Sequence, residues 1–159
     1  MNVRSYEAGD LPKVIETYTA SIHSLAAPFY SPEQIAAWAP PDADMGRWQK
    51  RLAGLHTIVA EEEGMLAGFA SYTDEGYFDF LHTHPDFARC GVATRLYQQI
   101  ESVLCSAGCA RVFTHASIAA RPFFDHQGFE VNKEECVECR GVYLRRFAMH
   151  KQLNHEMSG

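Results

Sequence analysis

The 159-residue sequence predicts a single α+β domain in which a mixed, mostly antiparallel central sheet is flanked by helices. Two observations carry that expectation. Three consecutive segments, residues 57–62, 65–73 and 76–83, read as strands joined by the tight turns Glu63-Gly64 and Asp74-Glu75-Gly76, which is the pattern of an antiparallel meander. Directly after them, His84-Pro85-Asp86-Phe87-Ala88-Arg89-Cys90-Gly91-Val92-Ala93-Thr94-Arg95-Leu96 sets a small-residue turn between the last strand and a strongly periodic helix.

Before the meander, residues 3–6 read as a first strand, and Asp10 reads as the N-cap of a helix running to about residue 24. Leu11, Val14, Ile15, Tyr18, Ile22 and Leu25 form the apolar face of that amphipathic stretch. Ser31-Pro32-Glu33-Gln34 is a second helix start, with Ser at N-cap, Pro at N1 and Gln at N3 forming a capping box, and Pro40-Pro41 ends it. A third short helix is expected over residues 45–52. After the turn, Ala93, Leu96, Ile100, Val103 and Leu104 recur at helical spacing until Gly108. A strand at 111–115 and a short helix ending before Gly128 follow. Strands at 129–138 and 142–151, joined around Arg140-Gly141, close the fold as a hairpin, leaving residues from about 152 to 159 as a tail. No repeat, low-complexity segment or linker divides the chain, so one domain over residues 1–159 is expected.

Composition narrows the function class. A content of 47% hydrophobic and 21% charged residues is that of a globular domain, and the net charge of −6 disfavours a nucleic-acid partner. No basic leader precedes an apolar stretch and no apolar run approaches the roughly 20 residues that span a bilayer, so a cytoplasmic protein with no membrane partner is expected. The five cysteines are an odd number, which argues for reduced thiols. His82-x-His84 and Cys136-x-x-Cys139 offer zinc-type ligands, but a single C-x-x-C without a partner pair is not a zinc framework, and no metal is expected.

The turn at Arg89 to Thr94 carries the chemistry. The first N–H groups of a helix have no intrahelical acceptor, and Gly91 and Ala93 let a pyrophosphate come close to them. Arg89 and Arg95 add positive charge.

The order of strand, helices, meander, phosphate turn with helix, strand, helix and final hairpin resembles the GNAT acetyltransferase superfamily across essentially the whole chain. Ala88 to Ala93 stands at the family's Arg/Gln-x-x-Gly-x-Gly/Ala loop, and Ser117 to Phe129 stands at its Asn-x-x-Ala-x-x-x-Tyr-x-x-x-Gly-Phe segment. Tyr30-Ser31-Pro32-Glu33-Gln34 through Trp38-Ala39-Pro40 is similar to a subgroup of small bacterial members without a settled substrate. The resemblance implies acetyl-CoA as co-substrate, held by Leu81, His82, Thr83, Arg89, Cys90, Gly91, Val92, Ala93, Thr94, Ser117 and Phe123. It implies transfer of the acetyl group to a primary amine of a small molecule or peptide by direct attack on the thioester. It also places His23, Tyr30, Trp38 and Tyr77 on the acceptor side, and it implies a monomer or homodimer.

Three positions depart from the family pattern. Ala88 replaces Arg or Gln, Ser117 replaces Asn, and Phe124 occupies the position where many members carry a tyrosine that protonates the departing thiolate. These departures also raise an alternative, a catalytically weak or inactive acyl-CoA-binding regulatory module. An amine of pKa near 10 is only about one part in a thousand neutral at pH 7, a cost of roughly 4 kcal/mol, so a base or desolvating site is expected. Asp79, His82 and His23 are the candidates, with Asp79 and His82, on the strand that flanks the thioester in the family, in front. A thiol of pKa about 8.5 leaves as thiolate at a cost of roughly 2 kcal/mol at pH 7, so Phe124 does not forbid turnover.

Overall fold

The computed structural model describes residues 1–153. Its elements are β1 (Asn2–Ser5), α1 (Leu11–Leu25), α2 (Pro32–Trp38), α3 (Met45–Ala53), β2 (His56–Glu62), β3 (Met65–Tyr72), β4 (Tyr77–Thr83), α4 (Val92–Ser106), β5 (Arg111–Ser117), α5 (Arg121–His126), β6 (Glu130–Cys139) and β7 (Val142–Gln152). The strands form one sheet in the order β1-β2-β3-β4-β5-β7-β6, antiparallel throughout except for the β4–β5 pair.

Helices cover both faces. On one side Leu96, Tyr97, Ile100 and Leu104 of α4 pack with Phe78, Val112, Phe124 and Met149. On the other, Leu11 and Val14 of α1 and Leu52 of α3 pack with Val59, Phe69 and Phe80. The close seat of α4 depends on Gly68 of β3, because a Cβ there would lie 2.7 Å from Val92 Cγ1 and 2.8 Å from the His82 carbonyl oxygen. A third cluster joins Ile22, Tyr30 and Ile35 to Leu144 and ties α2 to β7.

The expected elements are present with ends shifted by a few residues, and the capping box of α2 forms, with Ser31 Oγ accepting from Gln34 N–H at 3.1 Å and Gln34 Oε1 accepting from Ser31 N–H at 2.8 Å. Two expectations need correction. Asp10 is the N-cap residue of α1, but its side chain does not bond the helix amides: its carboxylate accepts two N–H groups of Arg4 at 2.9 Å each and the Glu7 amide at 2.8 Å, and a guanidinium is a stronger partner for it than a helix amide. The fold also extends past residue 151. Gln152 is the last residue of β7, and Leu153 is buried with its N–H on the Ala110 carbonyl at 2.9 Å, so the first two residues of the expected tail belong to the fold, and its remainder, residues 154–159, lies outside the described residues.

Two departures from regular sheet geometry create the site. In the β3–β4 ladder Ser71 pairs with Phe80 and Tyr72 with Phe78, which leaves Asp79 as the extra residue of a β-bulge. The bulge reverses the alternation: Phe78 enters the core under α4, whereas Phe80 enters the core under α1 and α3. Strands β4 and β5 pair only at Tyr77↔Phe113 and Phe78↔Thr114, where Thr114 Oγ1 donates to the Phe78 carbonyl at 2.9 Å, and then they part. Residues 79–83 of β4 thus have no strand partner on that side.

Candidate active site

The parting of β4 from β5 opens the sheet into two cavities. The smaller, about 220 Å³, lies along Leu81, His82 and Thr83 and is closed by Ser21, Ala93, Phe123 and Phe124. The larger, about 930 Å³, is walled by Tyr18, Trp48, Arg51, Asp79, Phe80 and His115, with the β6–β7 hairpin on its far side. Trp38 and Ser117 line both, so the two cavities meet at those side chains.

At the mouth of the smaller cavity, a single 3-10 turn at Pro85–Phe87 leads into Gly91, the N-cap of α4, with φ of 80°. The first helical hydrogen bond runs from Arg95 N–H to the Gly91 carbonyl at 3.0 Å, which leaves the amides of Val92, Ala93 and Thr94 without helical acceptors. A Cβ on Gly91 would meet no protein atom within 4 Å, so the space over the turn is open. Val92 contributes only its amide there, since its side chain is buried against Gly68. Arg89 and Cys90 are exposed beside the turn, and Arg89 adopts φ of 62°, a left-handed conformation that costs a non-glycine residue about 1–2 kcal/mol.

Within the cleft, His82 stacks on Phe69 with ring centroids 5.6 Å apart and meets the edge of Tyr18 at 4.9 Å. Its Nδ1 lies 3.4 Å from Ser21 Oγ. Burial, with a smaller contribution from the nearby Arg51 charge, pulls the His82 imidazole down to about 4, so it is neutral at pH 7. Asp79 is held by Arg51, whose Nη2 and Nε donate to its two oxygens at 2.7 and 3.3 Å. Both candidate bases therefore reach the cleft from β4, one beside each cavity.

Phe124 is 3% exposed, packs against Phe129 and Phe123 at 4.9 and 5.4 Å between ring centroids, and lines the smaller cavity. Ser117 Oγ accepts the Ala120 N–H at 3.1 Å, which shapes the turn into α5. Of the residues expected on the acceptor side, Trp38 and Tyr30 line the larger cavity, and the Tyr30 hydroxyl bonds the backbone at Arg145 of β7 and at Ile118 just past β5. His23 and Tyr77 stand apart from both cavities. His23 Nε2 is 2.7 Å from the Ala39 carbonyl oxygen, and the Tyr77 hydroxyl is 2.8 Å from His115 Nδ1.

Several residues of the cleft were not among those picked from the sequence. Tyr18, Ser21 and Arg51 come from α1 and α3, and Tyr18 donates to the Trp38 carbonyl at 3.3 Å, with burial pushing its phenol up to about 12. Thr17 and Ser21, polar residues on the buried face of α1, were the available signal in the sequence.

Comparison with known proteins agrees with this architecture. The family model described as an acetyltransferase (GNAT) domain matches residues 26–152. The chain is 34% identical over 155 residues to YafP, an uncharacterized N-acetyltransferase of Escherichia coli K12, covering 98% of each chain. A GCN5-related N-acetyltransferase of Rhodopseudomonas palustris superimposes with a TM-score of 0.92 at 32% identity, covering 96% of this chain and 95% of that one. The PaiA N-acetyltransferase of Thermoplasma acidophilum, solved in complex with coenzyme A, shares the fold at a TM-score of 0.76 and 18% identity, covering 96% and 98%. By the family match over residues 26–152 and its relatives along nearly the whole length, the chain belongs to the GNAT acetyltransferases.

Proposed function

We propose that the protein transfers the acetyl group of acetyl-CoA to a primary amine by direct attack of the amine on the thioester. The observation that carries this reading is the meeting of the two cavities at Trp38 and Ser117, beside the strand edge that β4 leaves unpaired. A pyrophosphate fits over Gly91 on the free amides of Val92, Ala93 and Thr94, with Arg89 and Cys90 alongside. Pantetheine follows residues 81–83 through the smaller cavity, where Phe123 and Ser117 flank it, and the acetyl group arrives at the junction. The amine approaches from the larger cavity, along Tyr30 and Trp38.

The amine nitrogen attacks the thioester carbon, the N–C bond forms, and the C–S bond breaks with its electron pair passing to sulfur. Unpaired backbone N–H groups of β4 stabilise the oxyanion that develops on the carbonyl. The proton lost by nitrogen passes to Asp79 or His82, directly or through water. His82 acts as a relay, since an imidazole at about 4 holds a proton only briefly at pH 7. Sulfur leaves as thiolate past Phe124 and is protonated from solvent.

Calorimetry with acetyl-CoA, followed by a thiol-release assay over a panel of primary amines, tests the reading. Saturable binding and amine-dependent thiol release are expected. Binding with thiol release no faster than in buffer for every amine would instead describe an acyl-CoA-binding module.

A further inference from the structure

The side chains of the larger cavity carry more information about the acceptor than its size does. Arg51 is fixed from two directions: its guanidinium carbon lies 4.3 Å from the centroid of the Phe80 ring, and its Nε and Nη2 are bound to Asp79. A guanidinium has five N–H groups. Two are used here, and among the described residues the remaining three have no acceptor. Those three include the pair on the Nη1–Nη2 edge, which point in parallel and match the two oxygens of a second carboxylate. The Arg51 side chain is 54% exposed and lines the cavity, whereas Asp79 beneath it is 17% exposed.

Asp79 likewise has acceptor capacity left, since an ionised carboxylate offers about four lone-pair sites and Arg51 takes two. The pair thus presents an anion-binding edge and a cation-binding oxygen side by side. Both lie on the wall shared with Phe80 and Trp48, which stack at 5.3 Å and make an apolar floor. Four other guanidinium groups line the cavity, Arg47, Arg140, Arg145 and Arg146, of which Arg145 pairs with Glu134 at 2.8 Å and Arg146 with Glu135 at 2.7 Å. Arg51 differs from them in being bound to Asp79, the bulge residue of β4, so that its open edge and the carboxylate of a candidate base lie side by side.

Resting on the acetyl-transfer reading above, we infer that the acceptor is a zwitterionic amine of the free amino-acid type, its carboxylate taken by the open edge of Arg51 and its ammonium drawn to Asp79. This arrangement selects against polyamines, whose second cation would meet the guanidinium, and against peptide N-termini, which replace the carboxylate by an amide. It also brings the amine to a proton acceptor before attack, because Asp79 lies on the same strand as the thioester-side residues Leu81 to Thr83.

Matched sets test it: each proteinogenic L-amino acid, its amide, and the amine left when its carboxylate is removed. Binding of each to the CoA-loaded protein is followed by calorimetry, and turnover with acetyl-CoA by thiol release. The carboxylate form of at least one set is expected to exceed its amide by about tenfold or more in both affinity and kcat/KM, the selectivity of a site built to bond that group. In Arg51→Gln the ratio falls to about one, and in Arg51→Lys, a point charge without the fork, it is intermediate. Amides or simple amines used as well as the amino acids overturn the inference and leave acetyl transfer standing, as does a failure of any amino acid to bind. Failure of acetyl-CoA itself to bind, measured separately, overturns the acetyl-transfer reading.

Discussion

The Tyr30 hydroxyl donates to the Arg145 carbonyl at 2.7 Å, joining the segment before α2 to the point where β7 ceases to pair with β5. Ser117↔Arg146 is the last pair of that ladder, and the Ile118 N–H that would continue it donates to the same hydroxyl at 2.9 Å. A phenol thus stands where the next rung would be, bridging the end of β5 to β7 at the wall of the larger cavity. Tyr30→Phe leaves a backbone donor and an acceptor unsatisfied, at a cost of about 1–3 kcal/mol. Thermal melts should show a lower Tm, by about 2–4 °C per kcal/mol for a chain of this size. If the clamp shapes the acceptor wall, the KM for the amine rises more than the KM for acetyl-CoA. An unchanged Tm would mean that water replaces the hydroxyl at no cost.

How much of this was readable in the sequence divides along physical lines. The α2 capping box and the Gly91 turn into α4 are local, set by residues a few positions apart, and each lies where the sequence indicated. The bulge at Asp79 has no local signature: nothing in Phe78-Asp79-Phe80 marks a two-to-one register, and strict alternation would have put the two phenylalanines on one face. Because of the bulge, His82 shares its face with Phe80 and α1. The Arg51–Asp79 pair spans 28 positions, and the carboxylate of Asp10, at the N-cap position of α1, is taken by Arg4 of β1 instead of the helix amides. These contacts depend on how helices and sheet meet, which residue spacing alone does not encode.

Gly91→Ala isolates the phosphate turn. Its Cβ meets no protein atom, so the structural cost is only that of alanine at φ of 80°, about 1–2 kcal/mol. The methyl group instead occupies the open space over the amides of α4. A drop in Tm of a few degrees is expected, with acetyl-CoA affinity reduced about tenfold or more, the equivalent of roughly 1.4 kcal/mol. Equal affinity in a folded variant would move the pyrophosphate elsewhere.

Neutral burial of His82 makes stability depend on pH. Its folded pKa, about 4, lies below the ordinary value of 6.5, so between those values the unfolded chain binds the extra proton and acid favours unfolding. The contribution is fully present above about pH 6.5 and is lost as pH falls towards 4, up to about 3 kcal/mol in all. Urea unfolding at pH 7 and pH 5 should show wild type losing more stability than His82→Gln. Parallel losses would mean that the histidine is better solvated than its packing against Phe69 and Tyr18 implies. In the same variant the alkaline rise of kcat/KM should keep its midpoint and lose height, because a group neutral across that range does not set the midpoint.

Phe124→Tyr tests how the thiolate leaves. The ring lines the smaller cavity with Phe123 and Ser117 and also packs on Phe129, so an added hydroxyl meets either the cavity or the aromatic cluster. A donor beside sulfur is worth about one hydrogen bond, near 1.4 kcal/mol, and single-turnover kinetics should show the chemical step accelerated by up to about tenfold. Because the thiolate is a tolerable leaving group by itself, the gain is limited to that amount. If the hydroxyl is instead forced among Phe78, Phe123 and Phe129, it stays unsatisfied, and the variant melts lower by about 1–3 kcal/mol with no faster chemistry. That second pattern would separate Phe124 from the sulfur and direct the search for a proton donor to Tyr18, whose phenol remains protonated at the edge of the other cavity.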